Sequence, residues 1–234
     1  MNVQIYEMVA YTEIVIGLFL WYKSYFLDEL PEFRRQVLEV LRQPMEERRV
    51  TISRAKMTTD YPAAFMLVAA MNPCPCGYYN DPTHECTCAP GAVHKYLNKI
   101  SGPLMDRIDI HIEVVPVPFK DLSKMREGEP SEVVRERVIA ARKIQEDRFR
   151  GCPGIHCNAQ MNSKLFRQYC QIDQQGQDLM KAAMEKLGLS ARAYDRILKV
   201  ARTIADLDAS PNITTTHLSE AINFRSLDRD SWGR

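Results

Sequence analysis

The sequence predicts an α/β domain followed by an all-α domain, and three observations carry that reading. Tyr25-Phe26-Leu27 is a short apolar run ending in two acids, and Phe65-Met66-Leu67-Val68-Ala69-Ala70 is a continuous apolar run typical of a fully buried strand in the interior of a parallel sheet. The segment Pro116 to Pro130 gathers prolines at 116, 118 and 130 around Gly128, the composition of a linker. Beyond it the pattern is helical to the end of the chain.

Taken in order, Met1 to Ser24 has no turn punctuation and stays unassigned. Within it Ile14 to Tyr22 is apolar, but at about nine residues it is far below the ~20 that cross a bilayer. Pro31 suits the first turn of a helix in which Phe33, Val37, Val40 and Leu41 share a face, while Arg34, Arg35, Glu39 and Arg42 face out. Val50 to Ser53 alternates as a strand does, Asp60-Tyr61-Pro62 is turn chemistry, and Asn72 to Gly91 is a long irregular loop. A helix resumes over Val93 to Ile100, followed by a strand from Ile108 to Val115. In the second half Ser131 N-caps a helix through Phe149, Gly188 stops another, and Ser190 to Leu207 forms a third. Thr214 to Thr216 leads into the last helix, Leu218 to Phe224. The organisation is therefore 1–24 unassigned, 25–118 α/β and 119–234 helical.

Charge sets limits on partners. Lys and Arg total 31 against 30 Asp and Glu, so no global field draws the chain to nucleic acid or membrane, and any such contact is local. Hydrophobic residues make up 45% of the 234, enough for a real core. Seven cysteines, an odd number, without a secretory signal point to a reducing cytoplasm.

Three sets of residues could do chemistry. An apolar strand ending in Asp28-Glu29 is what metal-assisted ATP hydrolysis needs, the aspartate holding Mg²⁺ and the glutamate activating water; a solvated helix N-terminus would use the same two acids. Asn72 ends the second apolar strand at the sheet edge where ligands of open α/β sheets collect, and could position the attacking water; it could equally cap the turn before Pro73. Cys74-Pro75-Cys76 and Cys86-Thr87-Cys88, with His84 beside the second pair, could hold tetrahedral Zn²⁺ and clip the long loop. A single residue between paired cysteines is shorter than usual zinc spacings, so a free-thiol cluster or, less in keeping with a cytoplasmic chain, disulfides compete.

Phe-Leu-Asp-Glu-Leu-Pro-Glu-Phe (26–33), Val-Ala-Ala-Met-Asn-Pro (68–73), Ser-Gly-Pro-Leu-Met-Asp-Arg-Ile-Asp (101–109) and Ala-Arg-Thr-Ile-Ala-Asp (201–206) together resemble the magnesium-chelatase-like AAA+ ATPases of the ComM/YifB type. The resemblance runs from about Tyr25 to Arg229. It implies the C-terminal part of a P-loop NTPase core, then a helical lid. It makes Asp28 and Glu29 the Walker B pair, Asn72 sensor 1, Arg107 an arginine finger reaching a neighbouring subunit's nucleotide, and Arg192 sensor 2, with Arg196 and Arg202 as rivals. An ion pair of Arg107 with Asp106 or Asp109 is the plainer alternative. Arg54 and Lys56 fall where the family places a pore hairpin, and repeated around a ring they would attract a phosphate backbone; a bland exposed hairpin explains them as well.

The resemblance further implies ATP and Mg²⁺ as ligands, a ring, expected to be a hexamer, as the assembly, and DNA as the substrate remodelled. The competing readings are a motor that drives Mg²⁺ into a porphyrin and a non-catalytic, zinc-clipped interaction domain. No Gly-x-x-x-x-Gly-Lys-Ser/Thr phosphate loop occurs among the 234 residues. The expectation is therefore a truncation, a frameshifted gene or a misplaced start codon, and a chain that alone binds ATP poorly and does not hydrolyse it.

Overall fold

The computed structural model describes residues 24–54, 57–114 and 128–225, and the chain divides between Ile108 and Asp109 into two compact units. Residues 1–23, Lys56 and most of the expected linker lie outside the described set.

In the first unit β1 (Ser24–Leu27) pairs in parallel with β4 (Met66–Ala69), in the register Tyr25↔Leu67 and Phe26↔Val68. Between them run a 3-10 turn (Leu30–Glu32), α1 (Arg35–Val40), α2 (Arg42–Glu47) and the antiparallel hairpin of β2 (Arg49–Arg54) and β3 (Met57–Pro62). After β4 come a long loop, α3 (Ala92–Leu97) and the short α4 (Gly102–Met105). Leu27, Leu30, Val37, Leu38, Leu41, Ile100 and Leu104 close one core, with Tyr25, Phe65 and Leu67 packed against it. The apolar positions Val37 and Leu41 hold, but the helix begins at Arg35 and not at Pro31, which sits in the 3-10 turn before an extended Phe33 and Arg34, and Leu38 is buried where Phe33 and Val40 are half-buried.

Other expectations are corrected here. The second apolar run is not buried on both faces: Met66 is 57% and Val68 39% exposed, beside Phe26 at 71%. Parallel pairing turns Tyr25 and Leu67 to the core and Phe26 and Val68 to the opposite face, which no described element covers. Asp60-Tyr61-Pro62 is strand, because Asp60 accepts a 2.6 Å hydrogen bond from Thr51 across the hairpin and Pro62 falls at the strand end, where a missing N–H costs little. Residues 108–114 alternate apolar and polar yet form no strand; His111 N–H donates to the Phe224 carbonyl at 2.8 Å, tying this segment to the last helix instead of a sheet.

The second unit is helical: α5 (Ser131–Arg148), a 3-10 turn (Asn158–Gln160), α6 (Ser163–Tyr169), α7 (Gln174–Leu187), α8 (Ala191–Leu207) and α9 (Thr215–Asn223). Local chemistry sets the boundaries. Gly188 takes φ 59° to end α7, and Ser190 Oγ accepts from Ala193 N–H at 3.2 Å to start α8. Thr214 and His217 form a reciprocal cap on α9. Ser131 is the first helical residue; the capping position belongs to Pro130, which offers no side-chain bond. Ile197, Leu198, Ala201, Ala205, Leu218 and Met180 fill the core. Loss of the cap in Ser190→Ala is expected to cost about 1 kcal/mol, read as a lower urea midpoint with unchanged slope.

Candidate nucleotide-hydrolysis edge and cysteine cluster

Parallel pairing brings the carboxyl ends of β1 and β4 to one edge, so Asp28, Glu29 and Asn72 emerge from neighbouring strands. All three are exposed. The edge is locked by Ala70 N–H to the Leu27 carbonyl at 2.8 Å and Leu30 N–H to the Ala70 carbonyl at 3.0 Å. Between those bonds Glu29 is held at φ 51°, ψ 47°, a left-handed conformation that costs a side-chain-bearing residue roughly 1–2 kcal/mol. Asp28 Oδ1 accepts the Glu29 N–H at 2.9 Å. Strain of this kind, overdetermined by its surroundings, is common where carboxylates must point at a ligand.

Tyr96 is a part of this edge that the sequence pattern did not reveal. It is buried on α3, with its hydroxyl near the backbone of Asn72. Burial, with the Glu32 and Glu29 carboxylates nearby, pushes that hydroxyl above its ordinary range.

Arg107 is 7% exposed and pairs with Glu46 on α2, while its Nη1 donates to the Pro103 carbonyl at 2.6 Å. Glu46 is a long-range partner that the sequence around Arg107 does not announce. Ser101 caps α4, and its hydroxyl beside Glu39, with Arg42, holds that carboxyl below the usual range. The Ser-Gly-Pro-Leu-Met-Asp-Arg stretch thus ties α4 to α1 and α2.

In the helical unit Arg192 is exposed on the first turn of α8 and Arg196 pairs with Asp109. Arg202 is buried, giving Nε to Asp206 at 3.1 Å and its other nitrogens to the carbonyls of Ser210 and Pro211 at 2.6 and 2.9 Å. Asp206 also takes Arg148 at 2.6 Å and Asn158 at 2.8 Å. The Ala-Arg-Thr-Ile-Ala-Asp stretch is therefore a buried ionic lock spaced i to i+4. The hairpin register ends on the pair Arg54↔Met57; Lys56 and the Arg54 side chain lie outside what is described.

The four loop cysteines converge. Cys74 Sγ lies 3.3 Å from Cys76 and 3.8 Å from Cys86, Cys76 and Cys86 are 3.5 Å apart, and all four sulfurs including Cys88 fall within 4.8 Å of one another. All seven cysteines are free. A hydrogen bond from the Tyr78 backbone draws the Cys76 thiol down to about 5, and burial pushes Cys88 up to about 12. Four thiolates this close repel one another unless a cation joins them.

Cys170 stands apart in the helical core, where burial pushes its thiol up to about 12. Because the folded value exceeds the unfolded one of ~8.5, the contribution is complete below pH ~8.5 and is lost as pH rises toward 12. Urea unfolding between pH 7 and 10.5 should show stability falling with pH, and less steeply in Cys170→Ala. Iodoacetamide should spare Cys170 until the chain unfolds.

Two family models match this chain: that of magnesium chelatase, subunit ChlI, over residues 24–122, and that of the ChlI C-terminal region over residues 128–225. The chain belongs to the magnesium-chelatase-like family. Its first unit accordingly carries part of an AAA+-type fold. It is 46% identical over 205 residues to the competence protein ComM of Haemophilus influenzae and 44% to the YifB protein of Escherichia coli; each match covers 87% of this chain and 39% of the relative. A YifB protein of Salmonella typhimurium is 41% identical over the same span. The chain thus spans about 39% of the length of these relatives. Among the described residues no helix is long and apolar enough to cross a membrane.

Proposed function

We propose that this chain carries the hydrolytic edge, arginine finger and helical lid of a ring-forming ATPase that remodels DNA. The observation that carries the reading is the parallel β1–β4 pair, which sets Asp28 and Glu29 beside Asn72 at one sheet edge. An exposed carboxylate at a strand end suits Mg²⁺, which binds through one or two carboxylates and the phosphates of its nucleotide. Asp28 would hold that ion. Glu29, turned outward by its left-handed backbone, accepts the proton of the attacking water, and Asn72 orients the water. Arg107 serves a neighbouring subunit's nucleotide after leaving Glu46, and Arg192, exposed on its helix, serves as sensor 2.

A phosphate loop is absent from the 234 residues, so in this reading the chain alone does not turn over ATP. DNA as substrate, a hexameric ring and a cytoplasmic site of action belong to the same proposal, which the kinship with a competence protein supports, and Arg54 and Lys56 are its proposed contacts to the nucleic-acid backbone. A Zn²⁺ ion at the four cysteines would be structural, since four thiolates leave no position for a reacting water. The second reading, a motor for magnesium insertion, draws on the family models' printed description.

The test is ATP turnover by this chain joined to the phosphate-loop region of a relative, with and without DNA. Stimulation by DNA that weakens steeply with salt supports the remodelling reading; stimulation by porphyrin and Mg²⁺ with indifference to DNA overturns it in favour of the second.

A further inference from the structure

We propose that Cys74, Cys76, Cys86 and Cys88 form a structural zinc site, and that the bound ion holds Asn72 in place at the end of β4. The metal-binding half of this inference is independent of the ATPase reading; only the importance attached to Asn72 rests on it.

The geometry matches the ion. Four sulfurs at ~2.3 Å from a tetrahedral Zn²⁺ lie about 3.8 Å from one another. The observed separations of 3.3, 3.5 and 3.8 Å, with every sulfur within 4.8 Å of the rest, bracket that value and need only a small expansion to admit the ion. The one-residue spacing within each pair, short for a zinc site, is overcome by backbone geometry. Gly77, at φ 85°, turns the chain straight after Cys76, and its N–H donates to the Cys74 carbonyl at 3.0 Å.

Between the pairs Asp81 braces the loop, accepting from the N–H groups of Thr83 at 2.7 Å and His84 at 2.9 Å. His84 turns to Asp81 and Thr83 and stacks beside Tyr78 with ring centroids 5.0 Å apart, so the ligand set is four sulfurs.

The position gives the site its consequence. Cys74 is buried two residues after Asn72, and Cys88 precedes α3 by only three residues. On α3 the buried Tyr96 hydroxyl lies near the backbone of Asn72. A metal closing the loop between Cys74 and Cys88 therefore draws together the end of β4 and the start of α3, the two segments that position Asn72.

The full chain, purified under reducing conditions, is analysed for metals and, after stripping, titrated with Co²⁺. About one Zn²⁺ per chain is expected, and Co²⁺ should give intense sulfur-to-metal charge-transfer absorption with tetrahedral ligand-field bands. Cys86→Ser with Cys88→Ser should abolish both, while Cys152→Ser with Cys157→Ser should keep both. Absence of stoichiometric zinc together with absence of the Co²⁺ bands in the unmodified chain overturns the site, however the variants fold; so do disulfides among the four cysteines in the reduced preparation. Hydrogen exchange tests the positioning: stripping the metal should cost the amides of residues 70–77 and 92–97 their protection and leave α8 unchanged. Equal protection with and without metal overturns that half, and neither readout requires ATP turnover.

Discussion

Asp206→Ala is expected to lower the stability of the helical unit by about 3–5 kcal/mol, a large part of the 5–15 kcal/mol typical of a domain. Asp206 is 1% exposed and accepts from Arg148, Arg202 and Asn158 at once. Its removal leaves two largely buried guanidiniums without an anion, and the cost of that uncompensated charge exceeds what the paired network contributes. Asn158 would lose a partner too, although its bond to Thr203 at 3.1 Å survives. Asp208 makes the control: it faces His217 at 3.1 Å, but its side chain is 66% exposed, so Asp208→Ala should cost less than about 1 kcal/mol. Urea unfolding followed by circular dichroism separates the two, and equal midpoints for Asp206→Ala and Asp208→Ala would contradict the lock.

Glu29→Gln, in an assembly that supplies the phosphate loop, is expected to cut ATP turnover by about 10²–10⁴-fold while leaving nucleotide binding intact, because a positioned base contributes on that order. The amide keeps the size of the side chain and its left-handed backbone but cannot take a proton from water. Asn72→Ala should slow the same step through loss of water orientation. A single-turnover measurement with bound nucleotide isolates the chemical step, and an unchanged rate in Glu29→Gln would remove Glu29 from it.

Much of this was legible from the sequence because the signals were local. The stop at Gly188, the helix opening near Ser190 and the apolar positions Val37 and Leu41 depend on neighbours within a turn or two, and the structure keeps each. The adjacency of Asp28, Glu29 and Asn72 follows once two short apolar runs are read as neighbouring strands. What depended on distant partners was not legible. The fully buried reading of Phe65 to Ala70 presumed cover on both faces, and the 108–115 strand presumed a sheet neighbour; neither is present among the described residues. Arg107 and Glu46 are 61 residues apart, and Arg148 and Asp206 are 58 apart, so no pattern along the chain announces either pair. Arg202, a rival to Arg192 for a nucleotide contact, is bonded to Asp206 and to two carbonyls, and the cysteine pairs meet as their clustering suggested.

Steady-state ATP hydrolysis with Mg²⁺ tests the central claim most directly, comparing this chain alone, the chain supplied with the phosphate-loop region of a relative, and Glu29→Gln in both settings. The account predicts no Glu29-dependent turnover from the chain alone and Glu29-dependent turnover once the phosphate loop is supplied. Turnover by the chain alone that Glu29→Gln abolishes would contradict the missing phosphate site, and turnover in the supplied form that survives Glu29→Gln would contradict the hydrolytic edge itself.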